Sequence, residues 1–192
     1  MIISTGFEDH ERAQIAQMYW VAFGQKLGRV MGPERRACAF IQDVLDPTHA
    51  MCARDADGKL LGIVGFKTCE AALVGGTWRD LVRHYGWIGC TWRIAFLALL
   101  ERDVENERFL MDGIFVADGA RGQGVGTALL TAICNEAHAR GYKEVRLDVI
   151  DTNPRARALY EREGFVAGEV HSLGALKHIF KFESATTMVR KV

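Results

Sequence analysis

The chain has 192 residues, of which 49% are hydrophobic and 25% are charged, and we expect residues 1–192 to form a single domain with a sizeable core. Lys plus Arg and Asp plus Glu both number 24, so no net charge attracts nucleic acid or an anionic membrane. The five cysteines are dispersed, odd in number and lack C-x-x-C spacing. This pattern argues against a disulfide framework or a zinc site and predicts buried free thiols.

The N-terminal residues and the most apolar stretch both argue against a membrane or secreted protein. Charge appears by Glu8, and no apolar run resembles a signal peptide. Residues 87–100 are fewer than the roughly 20 that a membrane span needs, and Arg93 interrupts them. We therefore expect a cytoplasmic protein in which residues 87–100 form a buried or partner-covered helix.

The first predicted elements are a strand and two helices. Residues 1–7 are short and β-rich, which predicts a strand. Apolar side chains then recur at helical spacing over roughly residues 9–24. Pro33 can open a second helix, which Asp46-Pro47 ends.

A hairpin and an apolar segment follow. Residues 49–68 are predicted to form two strands joined at Asp57-Gly58, a pair of residues suited to a tight turn. Residues 71–107 are predicted to be helical and are rich in large apolar side chains, but the sequence assigns them no role. Residues 108–117 then form a predicted strand that leads into the loop "ARGQGVGTALL", residues 120–130.

Strands and helices alternate in the last third of the chain. Apolar residues recur every four positions from Val125 to a predicted helix end at Gly141. A buried strand over 144–150 precedes Asn153-Pro154, an N-cap and first-turn proline for a helix ending near Gly164. The chain finishes with strand-like pieces at residues 165–170, 177–183 and 186–192. This order predicts a mixed α/β (α+β) fold, with helices on both faces of a mixed sheet.

The glycines of the loop predict a phosphate cradle. Where a strand turns into a helix, the first amides lack partners and the helix dipole favours an anion. Gly122, Gly124 and Gly126 leave the backbone uncovered, and Arg121 adds a positive charge. A flexible turn is the alternative. A dinucleotide motif would need glycine where Thr127 stands, and the Gly-Lys-Ser/Thr ending of a P-loop is absent.

Two sequence blocks resemble the cofactor-binding core of the GNAT acetyltransferases. Arg121-Gly122-Gln123-Gly124-Val125-Gly126 is similar to the family's Arg/Gln-x-x-Gly-x-Gly/Ala loop. "LDVIDTNPRARALYEREGF", residues 147–165, looks like its fifth strand, fourth helix and the following turn. The order and spacing of the blocks over about residues 108–165 agree with the family. The resemblance implies a central, mostly antiparallel sheet, a helical insertion between the third and fourth strands, and metal-free acetyl transfer from acetyl-CoA to a primary amine.

The resemblance also implies how acetyl-CoA binds. The amides from Gly122 to Thr127 would cradle the pyrophosphate, and pantetheine would pair with residues 114–116 like an added strand. An ordinary core strand is the alternative there, and both descriptions can hold because they use different atoms. The implied cofactor-binding residues are Ile114, Phe115, Val116, Arg121, Gly122, Gln123, Gly124, Val125, Gly126, Thr127, Asn153 and Tyr160.

Tyr160 and Asp112 are the candidate catalytic residues. In the family, a tyrosine matching Tyr160 often protonates the leaving thiolate, and an asparagine matching Asn153 contacts the cofactor; a packed aromatic ring and a plain N-cap are the alternatives. Asp112 is the candidate base for the acceptor ammonium. Asp112 shares the period-two face of Leu110, Ile114 and Val116, and carboxylates on this strand serve as bases in some relatives. A structural carboxylate or a water chain is the alternative; weaker candidates are His84, Glu70 and Glu101.

Aromatic side chains in two segments are candidates for an acceptor pocket, a homodimer contact or plain core packing. They are Tyr19, Trp20, Phe23, Tyr85, Trp87 and Trp92. No acidic cluster in these segments requires a polyamine, and no basic stripe suggests nucleic acid. We expect a small-molecule or peptide amine as acceptor, with a noncatalytic acyl-CoA-binding or regulatory domain as the alternative function.

Overall fold

Seven strands and six α-helices make up the described part of this computed structural model, which is residues 1–100, 108–174 and 177–192. Side chains are described in these ranges except at 25–26, 96–100 and 178–179. The strands are Ile2–Thr5 (β1), Ala50–Arg54 (β2), Leu60–Lys67 (β3), Phe109–Val116 (β4), Glu144–Ile150 (β5), Val166–Ser172 (β6) and Ser184–Lys191 (β7). The helices are Arg12–Met31 (α1), Glu34–Val44 (α2), Trp78–Leu100 (α3), Val125–Ala139 (α4), Pro154–Arg162 (α5) and Lys177–Phe180 (α6).

All seven strands belong to one sheet, in the order β1-β2-β3-β4-β5-β7-β6. Neighbouring strands are antiparallel except for β4 and β5, which are parallel. The helix α3 lies between β3 and β4 along the chain. The predictions of a mixed, mostly antiparallel sheet and of a helical insertion before the fourth strand are therefore confirmed.

Two hydrophobic cores cover opposite faces of the sheet. Ile63 and Val64 are consecutive in β3 and fall in different cores, as side chains that alternate across a strand require. The α1-side core includes Ile15, Phe40, Ile63, Tyr85, Phe115 and Phe180. The α4-side core includes Val64, Phe109, Val125, Leu129, Ile133, Ala137 and Tyr160. The predicted four-residue spacing along α4 thus marks its buried face.

The helix α1 is longer than the sequence predicts. A 3₁₀ turn over Asp9–Glu11 leads into it, and it continues past residue 24 to Met31. Gly24 and Gly28 weaken the helical pattern there. Val30 and Met31 are nonetheless buried in the α1-side core, and that packing outweighs the low helix propensity of glycine.

One predicted strand is wrong. Residues 177–183 were expected to be extended, but Lys177–Phe180 forms the short helix α6. Phe180 and Phe182 are both buried in the α1-side core, with ring centroids 6.4 Å apart. A short run of apolar residues fits a strand and a helical turn equally well, so its conformation is decided by tertiary packing.

Residues 71–107 are predicted to be helical, and this is confirmed from Trp78 to Leu100. It is wrong for residues 71–77, where Ala72 and Val74 form isolated β-bridges with Lys67 and Leu45, and residues 101–107 lie outside the description. Gly86 interrupts α3 with a φ of 70° and a ψ of 170°, a conformation that glycine adopts readily. No helix in the described residues is long and apolar enough to cross a membrane.

The five cysteines are free thiols. Cys52, Cys90 and Cys134 are buried, as predicted, whereas Cys69 is exposed and Cys38 is half-buried. Burial raises the pKa of Cys52 to about 12 and also raises that of Cys134. A thiol with a raised pKa is a poor nucleophile at neutral pH, so these two residues act as small core side chains.

A β-bulge interrupts the pairing of β4 with β3. Gly65 lies opposite Gly113, and Phe66, the next residue of β3, lies opposite Met111. Asp112 is therefore the extra residue of the bulge. Both glycines are required by close packing, because a Cβ on Gly65 would lie 2.4 Å from Leu73 Cδ2, and one on Gly113 would lie 2.8 Å from Phe115 Cζ.

Candidate active site

The strands β4 and β5 separate soon after they begin. They pair through Phe109 with Val145 and Leu110 with Arg146, and in the described chain no further pairs join them. Beyond this point β5 continues to pair with β7 through Ile150, on its other side. We call the gap between β4 residues 113–116 and β5 residues 147–150 the seam. It leaves one edge of β4 open to an extended ligand.

The three residues predicted to bind pantetheine lie along the seam. Ile114, Phe115 and Val116 pair with β3 on one side, and their other side faces the gap. Their side chains serve the core: Phe115 is buried in the α1-side core, while Ile114 and Val116 pack against the α4-side core. Backbone recognition and core packing are thus compatible at these positions.

The glycine loop lies between the end of β4 and the start of α4. Gly122 and Gly124 have φ values of 78° and 79°, and no atom lies within 4 Å of the position of a Cβ on either residue. Gly124 is the N-cap of α4 and supplies no side chain to bond its first amides. The helix begins at Val125 with exposed N–H groups, an arrangement that binds phosphate through the backbone.

The polar side chains of the loop fold back onto the preceding 3₁₀ turn, Asp118–Ala120. Arg121 forms an ion pair of 2.8 Å with Asp118 and remains about half exposed. The side-chain amide of Gln123 donates a hydrogen bond of 2.8 Å to the carbonyl oxygen of Gly119. These contacts hold the loop in shape and leave its amides uncovered. The carboxylate of Asp118 also neutralises part of the positive charge that Arg121 was expected to add to the loop.

The third glycine of the motif has a different role from the first two. Gly126 lies within α4, and a Cβ there would be 3.0 Å from Leu159 Cδ2 on α5. The next residue, Thr127, donates a hydrogen bond of 2.8 Å from its hydroxyl to Oε1 of Glu163. Gly126 thus permits the close contact of α4 with α5, while its predicted part in the phosphate cradle concerns its backbone amide and stays a prediction.

Asn153 caps α5. Its Oδ1 accepts a hydrogen bond of 3.2 Å from the amide of Ala156, and Pro154 occupies the first turn. The cap that the sequence predicts is confirmed. The side-chain oxygen of Asn153 is therefore already used by the helix, and its amide nitrogen is the group left for a ligand.

Tyr160 is buried on α5, with 6% of its surface exposed. Its ring centroid lies 6.0 Å from that of Phe165, and it belongs to the same core as Val125 at the start of α4. Burial raises the pKa of Tyr160 to about 12. The phenol is therefore neutral at physiological pH and can only donate its proton in a hydrogen bond or accept one.

Asp112 lies at the bulge and is electrostatically coupled to Tyr19 of α1. Burial, and then the charge of Asp112, raise the pKa of Tyr19 well above its usual range. The expectation that Asp112 shares a face with Ile114 and Val116 is wrong, because it required an unbroken period of two and the bulge breaks that period. Tyr19 was a candidate only as an aromatic; its proximity to Asp112 has no signal in the sequence.

Three aromatic rings, of which Tyr19 is one, pack together between α1 and β4. The Tyr19 and Phe23 centroids are 4.8 Å apart, and Phe115 lies 5.3 Å and 5.5 Å from them. Tyr19 and Phe23 are four residues apart on one face of α1 and are partly exposed. Tyr19 and Phe23 are two of the aromatic residues predicted to line an acceptor pocket. The structure places them next to the end of the seam that is nearest Asp112, which we call its deep end.

The remaining candidates are found elsewhere or have structural partners. His84 Nε2 is 2.8 Å from Asp43 Oδ2 on α2, and Glu70 is an exposed loop residue after β3. Glu101 lies outside the described residues. Trp20 is buried, whereas Trp87 is 69% exposed. Over the described ranges, no group of three or more His, Cys, Asp or Glu side chains is arranged to hold a metal ion.

Comparison with known proteins identifies related sequences. A family model described as the acetyltransferase (GNAT) family matches residues 12–165. Mycothiol acetyltransferase from Beutenbergia cavernae is 46% identical over 57 residues, which are 30% of this chain and 19% of that protein. Streptothricin acetyltransferase from Streptomyces lavendulae is 32% identical over 83 residues, 43% of this chain and 44% of that protein. The chain therefore matches less than half the length of either relative.

The fold has close counterparts among solved structures. An N-acetyltransferase from Staphylococcus aureus Mu50 aligns with a TM-score of 0.68 over 99% of this chain and 100% of that chain. The two sequences are 14% identical, so the likeness concerns the fold. The alignment spans nearly the whole of both chains and shows that the two share a fold.

Proposed function

This chain belongs to the GNAT family of acetyltransferases, and we propose from that membership that it transfers the acetyl group of acetyl-CoA to a primary amine of a small molecule or peptide. The observation that carries the proposal is that two stretches of unpaired backbone follow each other along the chain. The open edge of β4 is followed, after the 3₁₀ turn and the glycine loop, by the uncapped N-terminus of α4. We take residues 1–192 as one domain, with residues 108–165 as its cofactor-binding core.

The residues present fit acetyl-CoA. The amides from Gly122 to Thr127 would hold the pyrophosphate, because the space above Gly122 and Gly124 is open and the helix dipole favours an anion. Residues 114–116 would pair with pantetheine through their backbone. The amide nitrogen of Asn153 would contact the same arm. Acetyl-CoA would supply an activated thioester carbonyl at the deep end of the seam.

Asp112 would act as the base. An alkylamine with a pKa near 10.4 is almost wholly protonated at neutral pH and must lose a proton to become a nucleophile. Asp112 lies beside Tyr19 at the bulge, where the acceptor-side aromatics meet β4. Asp112 would accept the first proton, from the ammonium, and pass it to solvent. The free amine nitrogen would then bond to the carbonyl carbon while the carbon–sulfur bond breaks, and the second nitrogen proton would leave to solvent, which would protonate the departing thiolate.

Tyr160 would stabilise the leaving sulfur by donating a hydrogen bond. Full proton transfer from a phenol of pKa about 12 to a thiolate, whose thiol has a pKa near 8.5, is energetically uphill. A neutral donor in a buried position still lowers the energy of developing negative charge. This limits the role of Tyr160 to hydrogen bonding, with solvent as the final proton donor to the sulfur.

An acetyl-CoA-dependent thiol-release screen tests the proposal. The panel includes aminoglycosides, polyamines, amino acids, peptides and streptothricin, the last because one relative is named for it. We expect acetyl-CoA to raise the melting temperature and at least one amine to release thiol. Stabilisation without turnover across the panel would favour a noncatalytic acyl-CoA-binding domain. The absence of stabilisation by any acyl-CoA would exclude both functions.

A further inference from the structure

A buried arginine on α3 forms no ion pair with any carboxylate in the described part of the chain. Arg93 is 9% exposed, and its guanidinium carbon lies 4.1 Å from the centre of the Tyr85 ring and 4.3 Å from that of Trp92. Its Nη1 donates a hydrogen bond of 2.9 Å to the carbonyl oxygen of Gly89, one helical turn earlier. Its Nε is buried and has no hydrogen-bond partner in the described part of the chain.

A second guanidinium shares the same tyrosine ring. The guanidinium carbon of Arg36, an exposed residue of α2, lies 5.8 Å from the centre of the Tyr85 ring. No ion pair joins Arg36 or Arg93 to a carboxylate among the side chains that the structure describes. Burial, and to a lesser extent the charge of Arg36, lower the pKa of Arg93, yet a guanidinium stays protonated in a protein.

Two like charges at one partly buried site are energetically unfavourable. Contacts with aromatic faces return less free energy than the desolvation of a buried guanidinium costs. Buried charges in proteins are normally paired. We define the Arg36–Arg93 cluster as Arg36, Tyr85, Trp92 and Arg93. Its positive charge is balanced by no carboxylate among the side chains that the structure describes.

We propose that the Arg36–Arg93 cluster binds one oxyanion, a carboxylate or phosphate group, from a small molecule. A guanidinium presents parallel N–H donors that match the oxygens of these groups. The oxyanion would accept hydrogen bonds from the guanidinium groups and would neutralise the repulsion between the two arginines. Arg36 would form the solvent-facing side of the site and Arg93 its base.

The position of the cluster indicates the source of the oxyanion. The hydroxyl of Tyr85 donates a hydrogen bond of 2.6 Å to the carbonyl oxygen of Met31, at the end of α1. Phe23, which packs beside the seam, precedes Met31 on the same helix by a distance of about 12 Å along its axis. Resting on the proposed function, we infer that the oxyanion is an anionic group of the acceptor; a free anion is the other source of the same chemistry.

Thermal unfolding without acetyl-CoA tests the site independently of the proposed function. Sodium phosphate and sodium acetate are compared with sodium chloride at equal ionic strength. We expect at least one of the two oxyanions to raise the melting temperature of the wild type by about 3 °C at ten times its Kd. Arg36→Met and Arg93→Met should both abolish that rise. Arg79→Met is the matched control, since Arg79 lies 5.4 Å from the Trp78 ring on the same helix, and it should retain the rise.

The outcomes are decisive in either direction. If neither oxyanion stabilises the wild type beyond chloride, or if Arg36→Met keeps the full rise, the site does not exist. Arg36 is exposed, so its variant remains informative even if Arg93→Met fails to fold. A purely structural cation–π contact would lower stability on substitution without changing the response to oxyanions.

A kinetic comparison distinguishes the two possible sources of the oxyanion, the acceptor and a free anion. Matched amine acceptors with and without a carboxylate are assayed with wild type and Arg36→Met. If the acceptor carries the oxyanion, Arg36→Met raises KM at least tenfold for the carboxylated amine and leaves that of the neutral amine unchanged. If KM is unchanged for both while oxyanion-dependent stabilisation is lost, the ligand is a free anion and the inference about the acceptor is wrong.

Discussion

The hydroxyl of Thr127 donates a hydrogen bond of 2.8 Å to Glu163, and this bond joins the first turn of α4 to the C-terminal end of α5. One residue earlier, Gly126 lets Leu159 approach the backbone of α4. These contacts fix the helix that would bind pyrophosphate relative to the helix that carries Tyr160. The distance between the glycine loop and Tyr160 is thus fixed by the packing of α4 against α5, without a bound ligand.

Thr127→Val should lower the free energy of unfolding by about 1 kcal/mol, because Glu163 loses a hydrogen-bond donor while remaining largely buried. The backbone amide is retained, so acetyl-CoA affinity should fall only a few-fold. Urea unfolding and calorimetric titration measure the two effects. Thr131→Val, one turn later, removes a hydroxyl that bonds only to the helix backbone at 3.0 Å, and its change should stay within about 0.5 kcal/mol.

Gly122→Ala and Gly124→Ala should each weaken acetyl-CoA binding by more than about tenfold. Both residues have left-handed backbones, where a Cβ costs about 1–2 kcal/mol, and the added methyl would enter the space above the loop amides. Calorimetric titration with acetyl-CoA gives the affinities. Gly119→Ala is the control, since that residue also has open space around a Cβ but no positive φ. Equal losses in all three variants would contradict a cradle at Gly122 and Gly124.

Tyr160→Phe should reduce kcat between about 10-fold and 100-fold, the range expected for one hydrogen bond to a charged group. The Kd for acetyl-CoA should be nearly unchanged because the ring and its packing remain. Steady-state kinetics with an active acceptor and direct titration of the cofactor provide both values. Tyr142→Phe, whose ring lies 5.3 Å from Phe109, is the matched control and should keep full activity. If Tyr160→Phe keeps wild-type kcat, the residue serves packing alone.

Burial of Tyr160 should also make stability fall at alkaline pH. Its pKa is raised from the ordinary value of 10.0 to about 12, so the folded protein favours the neutral phenol. This contribution is fully present below pH 10 and is lost as the pH rises through 12. Urea unfolding at several pH values should therefore show a smaller alkaline loss for Tyr160→Phe than for wild type. Parallel curves would show that the phenol is not protected in the folded state.

Asp112→Asn should lower turnover at pH 7 by about 100-fold or more if the carboxylate is the base. The loss should shrink as the pH rises, because the free-amine fraction grows about tenfold per pH unit below a pKa near 10.4. A pH–rate profile for both proteins measures this. Asp148→Asn on β5, whose carboxylate accepts a hydrogen bond from Thr187, should leave the shape of the profile unchanged. A constant ratio between Asp112→Asn and wild type at every pH would assign Asp112 a structural role.

The sequence predicts local features well because their signals are local. The N-cap at Asn153, the spacing along α4 and the turn at Asp57-Gly58 each depend on residues a few positions apart. The extended conformation of β4 is also predicted correctly, but the bulge at Asp112 is not. It depends on cross-strand register with Gly65 and Phe66, which lie far away along the chain.

The candidate site was predictable to the same extent. The loop glycines and Tyr160 follow from two sequence blocks, whereas the Thr127–Glu163 bond joins residues 36 positions apart and carries no pattern. The two guanidiniums on Tyr85 come from different helices, so their shared ring appears only after α2 and α3 pack together. The helix at Lys177–Phe180 was missed because its aromatic residues fit two conformations equally well.

The seam has a mechanical consequence for the whole sheet. Two residue pairs join β4 to β5, fewer than join any other neighbouring strands in the described sheet. Main-chain pairing joins the four strands from β1 to β4 to the three from β5 to β7 only at Phe109 and Leu110 in the described sheet. Beyond these residues the two groups, or leaves, are held together by side-chain packing in the α4-side core, which includes Val64 of β3 and Leu147 of β5. Asp112 belongs to the first leaf, while Tyr160 follows β5 on the second. A small change in the angle between the leaves therefore alters the separation of these two residues.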